Sequence, residues 1–187
     1  MNVHLPAQFD KAAFLAWAGK REERYELVNG RAVTMAGASL NHGRIVGNLY
    51  FSLRRQLDPQ WEAVADFGLD SAPRTLRYPD VLVHRAGRDG ANFTTDEPTM
   101  LAEVLSPSSE ALDLGDKASE YLGLPSLQAY LVLSQNEAKA WLWQRENSAF
   151  APGPAVVAGL DQRIRLAALA VVLPLSEIYH AIVFAES

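Results

Sequence analysis

Two alternating runs, YELV from Tyr25 and RAVT from Arg31, meet at Asn29-Gly30. Asn-Gly is the strongest short-range signal for a two-residue β-hairpin, because both central positions tolerate positive φ. An antiparallel pair near the start commits the chain to a sheet, and the pattern that follows supplies helices to cover it. From Asn41 to Leu57 the residues Ile45, Leu49, Leu53 and Leu57 recur every four positions. That spacing makes one apolar face of a helix of about four turns, ended near Pro59. A shorter helix is expected from Lys11 to Ala18, capped by Asp10, with Phe14 and Trp17 on one face.

Strands are expected over 61–69 and 77–83, and again at MLAEVL, which is closed by Pro107. Between them GRDGANFTTDEP reads as a polar loop. The segment SSEALDLGDKASEYLGLP predicts a helix, with Ser108 or Ser109 as cap and Pro125 as stop. LQAYLVLS and KAWLWQRE then alternate around a Gln-Asn-Glu turn as a second hairpin, and one more strand is expected near 163–166. The order predicts a mixed sheet with helices on its faces, of α/β or α+β type. Neither a repeat nor a long linker divides the chain, so 1–187 is read as a single domain.

Composition narrows the functional classes. Cysteine is absent, which excludes a disulfide scaffold and a cysteine-ligated zinc or iron–sulfur site. The 49% hydrophobic content excludes disorder. A net charge of -5 argues against coating nucleic acid through bulk charge. The first residues lack the basic-then-apolar order of a secretion signal, and charges interrupt every apolar stretch. A cytoplasmic protein without a membrane span is expected.

Carboxylates offer the most chemistry. Asp80 follows Pro79 at the head of DVLV, and Glu103 lies inside the apolar strand MLAEVL. A carboxylate in such a strand either faces water or is buried with a partner, since a lone buried one costs several kcal/mol. On neighbouring strands, Asp80 and Glu103 could converge on one magnesium ion, which takes few carboxylates and keeps several waters. The competing reading makes Asp80 turn chemistry and Glu103 solvent-facing. Lys117 is one of only four lysines and borders the apolar stripe of Leu114, Ala118, Tyr121 and Leu122. Its ammonium could reach back to the sheet, or pair with Asp113 four residues earlier as a surface contact.

The ordered motifs YELVNGR, NHGRIVGNL, YPDVLV, AEVLSPSS and D-x-x-x-K-x-x-x-Y resemble those of the Uma-type restriction endonuclease family, within the PD-(D/E)XK nuclease superfamily. The resemblance runs from about Tyr25 to about Tyr130. It implies a restriction-endonuclease-like fold with Asp80 and Glu103 as metal-binding carboxylates and the main-chain carbonyl of Val104 as a third ligand. The superfamily lysine usually lies two residues after the acid, but that position is Leu105 here. The resemblance therefore implies that Lys117, on the following helix, takes the role. Glu26 would complete the catalytic set, with Asp113 and Tyr121 supporting it; His42, at the opening of the long helix, is a further candidate that could contact phosphate through the helix N-terminus. His42 also has an ordinary reading as a capping or surface residue, and Arg54-Arg55 and Arg74/Arg77 as backbone contacts or solvated charge. Trp141 and Trp143 alternate on a strand and should face one side.

The activity implied is hydrolysis of phosphodiester bonds in duplex or branched DNA, with Mg2+ or Mn2+ as cofactor; a homodimer is expected because two symmetric sites suit the two strands of a duplex. Two alternatives accompany it: a nuclease-fold binding or regulatory module with little cleavage, and a nuclease of RNA.

Overall fold

The structure is a computed structural model and describes residues 8–35, 37–105 and 112–184, the side chains at 112 and 113 excepted. Helix α1 (Lys11–Ala18) begins where the Asp10 carboxylate accepts the Ala13 N–H at 2.8 Å. Strands β1 (Tyr25–Val28) and β2 (Arg31–Thr34) form the expected hairpin, with Val28 opposite Arg31. Asn29 and Gly30 take φ of 50° and 81°, which a two-residue turn of this kind requires. Helix α2 (Leu40–Gln56) starts at Ser39, whose hydroxyl accepts the His42 N–H at 3.1 Å. Its Ile45, Leu49 and Leu53 are fully buried, each stabilising the fold by about 1.5–3 kcal/mol.

The strand expected over 61–69 is two, β3 (Trp61–Ala65) and β4 (Gly68–Ala72). Asp66 breaks it by adopting a left-handed φ of 55°. Next come β5 (Thr75–Arg77) and β6 (Val81–Arg85), separated at Tyr78-Pro79-Asp80 because proline brings no N–H to a ladder. The polar loop contains a short strand, β7 (Thr94–Thr95), followed by β8 (Met100–Val104). Ser108 and Ser109, the expected caps, lie outside the described residues. A π-helical turn at Leu112–Asp116 leads into α3 (Lys117–Leu122). The second hairpin is β9 (Ala129–Leu133) with β10 (Lys139–Glu146). The tail adds β11 (Ala149–Phe150), β12 (Ala155–Ala158), β13 (Arg163–Leu166), β14 (Val171–Pro174) and α4 (Leu175–Ile178).

The central sheet runs β11-β10-β9-β8-β6-β3, with β12 also on β10, and a second sheet runs β2-β1-β5-β4-β7. Strands β8 and β9 pair in parallel while β6 and β8 pair antiparallel, so the central sheet is mixed. A parallel pair needs a crossover, and α3 lies in it. Alternate residues therefore serve two cores. Val81, Val83, Ala102 and Val104 pack with α2, and Leu82, Leu101 and Leu105 pack with Ala118 and Tyr121 of α3. Trp141 and Trp143 both belong to the α3 side, Trp143 stacking on Tyr130. The fold is the expected α+β architecture: a central mixed sheet with flanking helices and an N-terminal hairpin.

Candidate active site

Strand alternation turns Glu103 to the α3 side of the central sheet, between Leu101 and Leu105. Only 4% of it is exposed, so its carboxylate needs partners inside the protein. Two come from one face of α3. Lys117 Nζ lies 3.0 Å from Glu103 Oε1, and the Tyr121 hydroxyl donates to the same oxygen at 3.1 Å. Positions four apart on a helix share a face, which is why both reach one atom. Burial, and after it the Glu103 charge, push the Tyr121 phenol well above its ordinary value, so it stays a donor.

The hairpin supplies a second acid. Glu26 Oε1 lies 3.9 Å from Lys117 Nζ and accepts the Tyr78 N–H at 3.2 Å, while Oε2 accepts from Arg77 at 3.0 Å. Arg77 reaches further to Glu120, its Nη2 2.7 Å from Oε2 and its Nε 3.2 Å from Oε1. Ser71 also donates to Glu120. Carboxylates and cations thus alternate in a chain: Glu103, Lys117, Glu26, Arg77, Glu120. Burial alone would pull the Arg77 guanidinium down, but Glu120 and then Glu26 hold it above its ordinary value. Arg77 is accordingly an internal clamp and not a solvent-facing contact, its exposure being 3%. In the sequence Arg77 stood out only as a possible DNA-backbone contact, and Glu120 did not stand out at all. The available signal was Glu120 three residues after Lys117, on the same helix face.

Asp80 stands beside this chain without touching it. Strand pairing ends at Val81 opposite Ala102, and one step further the register sets Asp80 opposite Glu103. Its Oδ2 accepts the Val104 N–H at 2.7 Å, taking the place of the next ladder bond. Its Oδ1 lies 3.0 Å from His42 Nε2. His42 therefore reaches Asp80 with its ring while Ser39 performs the capping, correcting its reading as a capping or surface residue. Lys117 is buried, so it is no surface partner, and the Asp113 side chain lies outside the described residues.

Among the described residues no three His, Asp or Glu side chains converge to hold a metal ion. Magnesium does not require three, because it uses one or two carboxylates and keeps water. Asp80 and Glu103 offer hard oxygen donors on adjacent strands, and the Asp80 side chain retains 22% exposure. These are the donor types that a hard divalent cation takes, carried where β6 begins and β8 finishes.

The fold matches, over 94% of this chain and 99% of the other at a TM-score of 0.72 and 15% identity, a crystal structure from Anabaena variabilis described as "a putative nuclease belonging to DUF820". The chain belongs to the Uma2 family, described as "Putative restriction endonuclease", which residues 12–173 match. Two proteins of Synechocystis sp., both described as uncharacterized, are similar to it. One is 34% identical over 130 residues, 66% of this chain and 73% of the relative. The other is 33% identical over 156 residues, 79% of this chain and 82% of the relative. No helix among the described residues is long and apolar enough to cross a membrane.

Proposed function

We propose that the protein is a divalent-metal-dependent endonuclease that hydrolyses phosphodiester bonds in DNA with an activated water. The observation that carries this reading is the buried contact of Glu103 with Lys117 and Tyr121, one strand away from Asp80. Asp80 and Glu103 would hold Mg2+, or Mn2+ in its place, with the Val104 carbonyl as a third donor by the family resemblance. When bound, such an ion would supply positive charge for the scissile phosphate and lower the pKa of water. The remaining work belongs to the chain. Lys117 presents a preorganised cation to negative charge developing on the phosphate, in a site that excludes most water. Tyr121 fixes Glu103, while Glu26, held by Arg77, fixes the far side of Lys117. His42 and the Val104 N–H orient the two oxygens of Asp80. A homodimer would give two symmetric sites, one for each strand of a duplex.

The test is nicking of supercoiled plasmid with magnesium or manganese by the native protein, Asp80→Ala and Lys117→Ala. Activity confined to the native protein supports the reading, and activity surviving both substitutions overturns it.

A second reading, a binding module of the same fold, draws on the pairing of Lys117 with both Glu103 and Glu26 and on the net charge of -5. Buried ion chains can serve the fold alone. Calorimetric titration with magnesium or manganese separates the two readings, because a pure binding module takes up neither ion at millimolar concentration.

A further inference from the structure

Helix α2 opens at the end of the central sheet that carries Asp80. Its N-cap Ser39 uses one hydroxyl twice: Oγ accepts the His42 N–H at 3.1 Å and donates to Gln135 Oε1 at 2.6 Å. Gln135 follows β9, and alternation from Leu131 and Leu133 turns it to the face that α2 covers. The residue is 8% exposed, and its Nε2 has no acceptor among the described residues while still meeting solvent. A buried carboxamide gripped through its oxygen thus presents two N–H donors at the mouth of the helix.

Two backbone donors stand beside it. The N–H groups of Leu40 and Asn41 find no acceptor among the described residues, as the first turn of a helix leaves them. Charge at this opening favours an anion. The 17 residues of α2 include no acid and carry Arg44, Arg54 and Arg55, and their dipole adds positive potential at the N-terminus. The neighbouring acids are engaged: Asp80 Oδ1 lies 3.0 Å from His42 Nε2, and Glu137 Oε1 lies 3.2 Å from Lys139 Nζ. Leu40, 69% exposed, leaves the opening accessible.

The opening adjoins the carboxylates of the candidate active site. His42, in the first turn, is committed to Asp80, and Val104, whose N–H Asp80 accepts, pairs with Leu133 two residues before Gln135. We infer that Gln135 Nε2 and the Leu40 and Asn41 N–H groups form a subsite for the phosphate that flanks the scissile one on the same strand. This inference rests on the nuclease reading of the Asp80–Glu103 site and adds a second anchoring point to it. Helix N-terminal N–H groups take phosphate oxygens readily, and such contacts fix register without reading bases. A strand held at two phosphates keeps the scissile one beside Asp80 whatever its sequence.

The experiment is calorimetric titration with calcium in place of magnesium, using a nucleoside 3′,5′-bisphosphate and the matching 3′- and 5′-monophosphates. The bisphosphate spans one nucleotide step and is expected to bind the native protein about tenfold tighter than either monophosphate. Gln135→Met keeps the buried volume and removes the side-chain donor. Ser39→Asp keeps a good N-cap, so the helix and its circular dichroism persist, but sets a negative charge at the opening. Each variant is expected to erase the bisphosphate advantage, and Ser39→Asp decides the matter if Gln135→Met does not fold. Equal binding of the three nucleotides by the native protein, or an advantage that either folded variant leaves intact, overturns the inference. A bisphosphate advantage without plasmid nicking under magnesium would keep the subsite and remove the nuclease reading. Nicking without the advantage would do the reverse.

Discussion

Lys117 Nζ lies 3.0 Å from Glu103 Oε1 and 3.9 Å from Glu26 Oε1, so one buried ammonium joins an acid of the central sheet to an acid of the N-terminal hairpin. Removing it leaves two buried carboxylates short of a cation. Lys117→Ala should cost about 3–5 kcal/mol in urea unfolding and lower plasmid nicking by roughly 10²–10³-fold. Glu103→Gln combined with Lys117→Met should regain most of the stability and none of the nicking. A double variant that nicks DNA would show that the pair serves only the fold.

Arg77 tests the same chain from its other end. Arg77→Ala strands Glu26 and Glu120 and should cost about 3–5 kcal/mol. Arg77→Lys keeps the charge but loses the fork that grips both acids, so about 1.5–3 kcal/mol is expected. Equal stability of native protein and Arg77→Lys in denaturant titrations would contradict the role of geometry.

Asp80 separates charge from hydrogen bonding. Asp80→Asn keeps an acceptor for the Val104 N–H and should unfold near the native midpoint. Asp80→Ala leaves that N–H without its partner and should lose about 1–3 kcal/mol. Both should abolish magnesium and manganese uptake in calorimetry, because an amide is a poor substitute for a carboxylate at a hard cation. Native-like metal binding by Asp80→Asn would remove Asp80 from the metal site.

His84 on β6 is buried, stacks on Phe67, and has an Nδ1 with no hydrogen-bond partner among the described residues. Burial, and after it the charge of Arg88, lower its pKa from the ordinary 6.5. The unfolded chain then binds the proton more readily than the native one. Stability contributed by the neutral ring is complete above about pH 6.5 and falls as pH drops toward the lowered native value. His84→Leu should flatten that part of the stability–pH curve, and an unchanged slope would assign it to other groups.

Gly68 is required by backbone, not by a turn. The atom that its Cβ would meet is a main-chain carbonyl, which cannot rotate away. Gly68→Ala should displace β7 and cost about 1–3 kcal/mol, read by thermal unfolding. A native melting curve would show that the 93–95 segment shifts freely.

Much of the local structure was legible because its causes are local. The Asn29-Gly30 turn, the Asp10 cap and the four-residue repeat of α2 depend on neighbours within a few positions. Breaks were less legible. Asp66 breaks the strand in a left-handed conformation that asparagine or glycine would have advertised more clearly, and β7 hides in a polar loop because a two-residue strand has no periodicity. The tail strands β12 and β14 lie among short apolar runs that fit several assignments.

Asp80, Glu103 and Lys117 were readable as candidate chemistry from residue type and order, and Glu26 only through the family resemblance. Which of them meet was not. The parallel β8–β9 crossover brings α3 over Glu103, and hairpin-to-sheet packing brings Glu26, with Arg77 paired to it, to Lys117. By itself, then, the chain's order of residues determined the elements, the hairpin and the list of charged candidates, since propensity and periodicity act over a few residues. Only tertiary packing decided that Lys117 pairs with Glu103 while Asp80 takes His42 and a strand N–H. Such contacts join positions distant in sequence, and burial is what obliges each charge to find its partner.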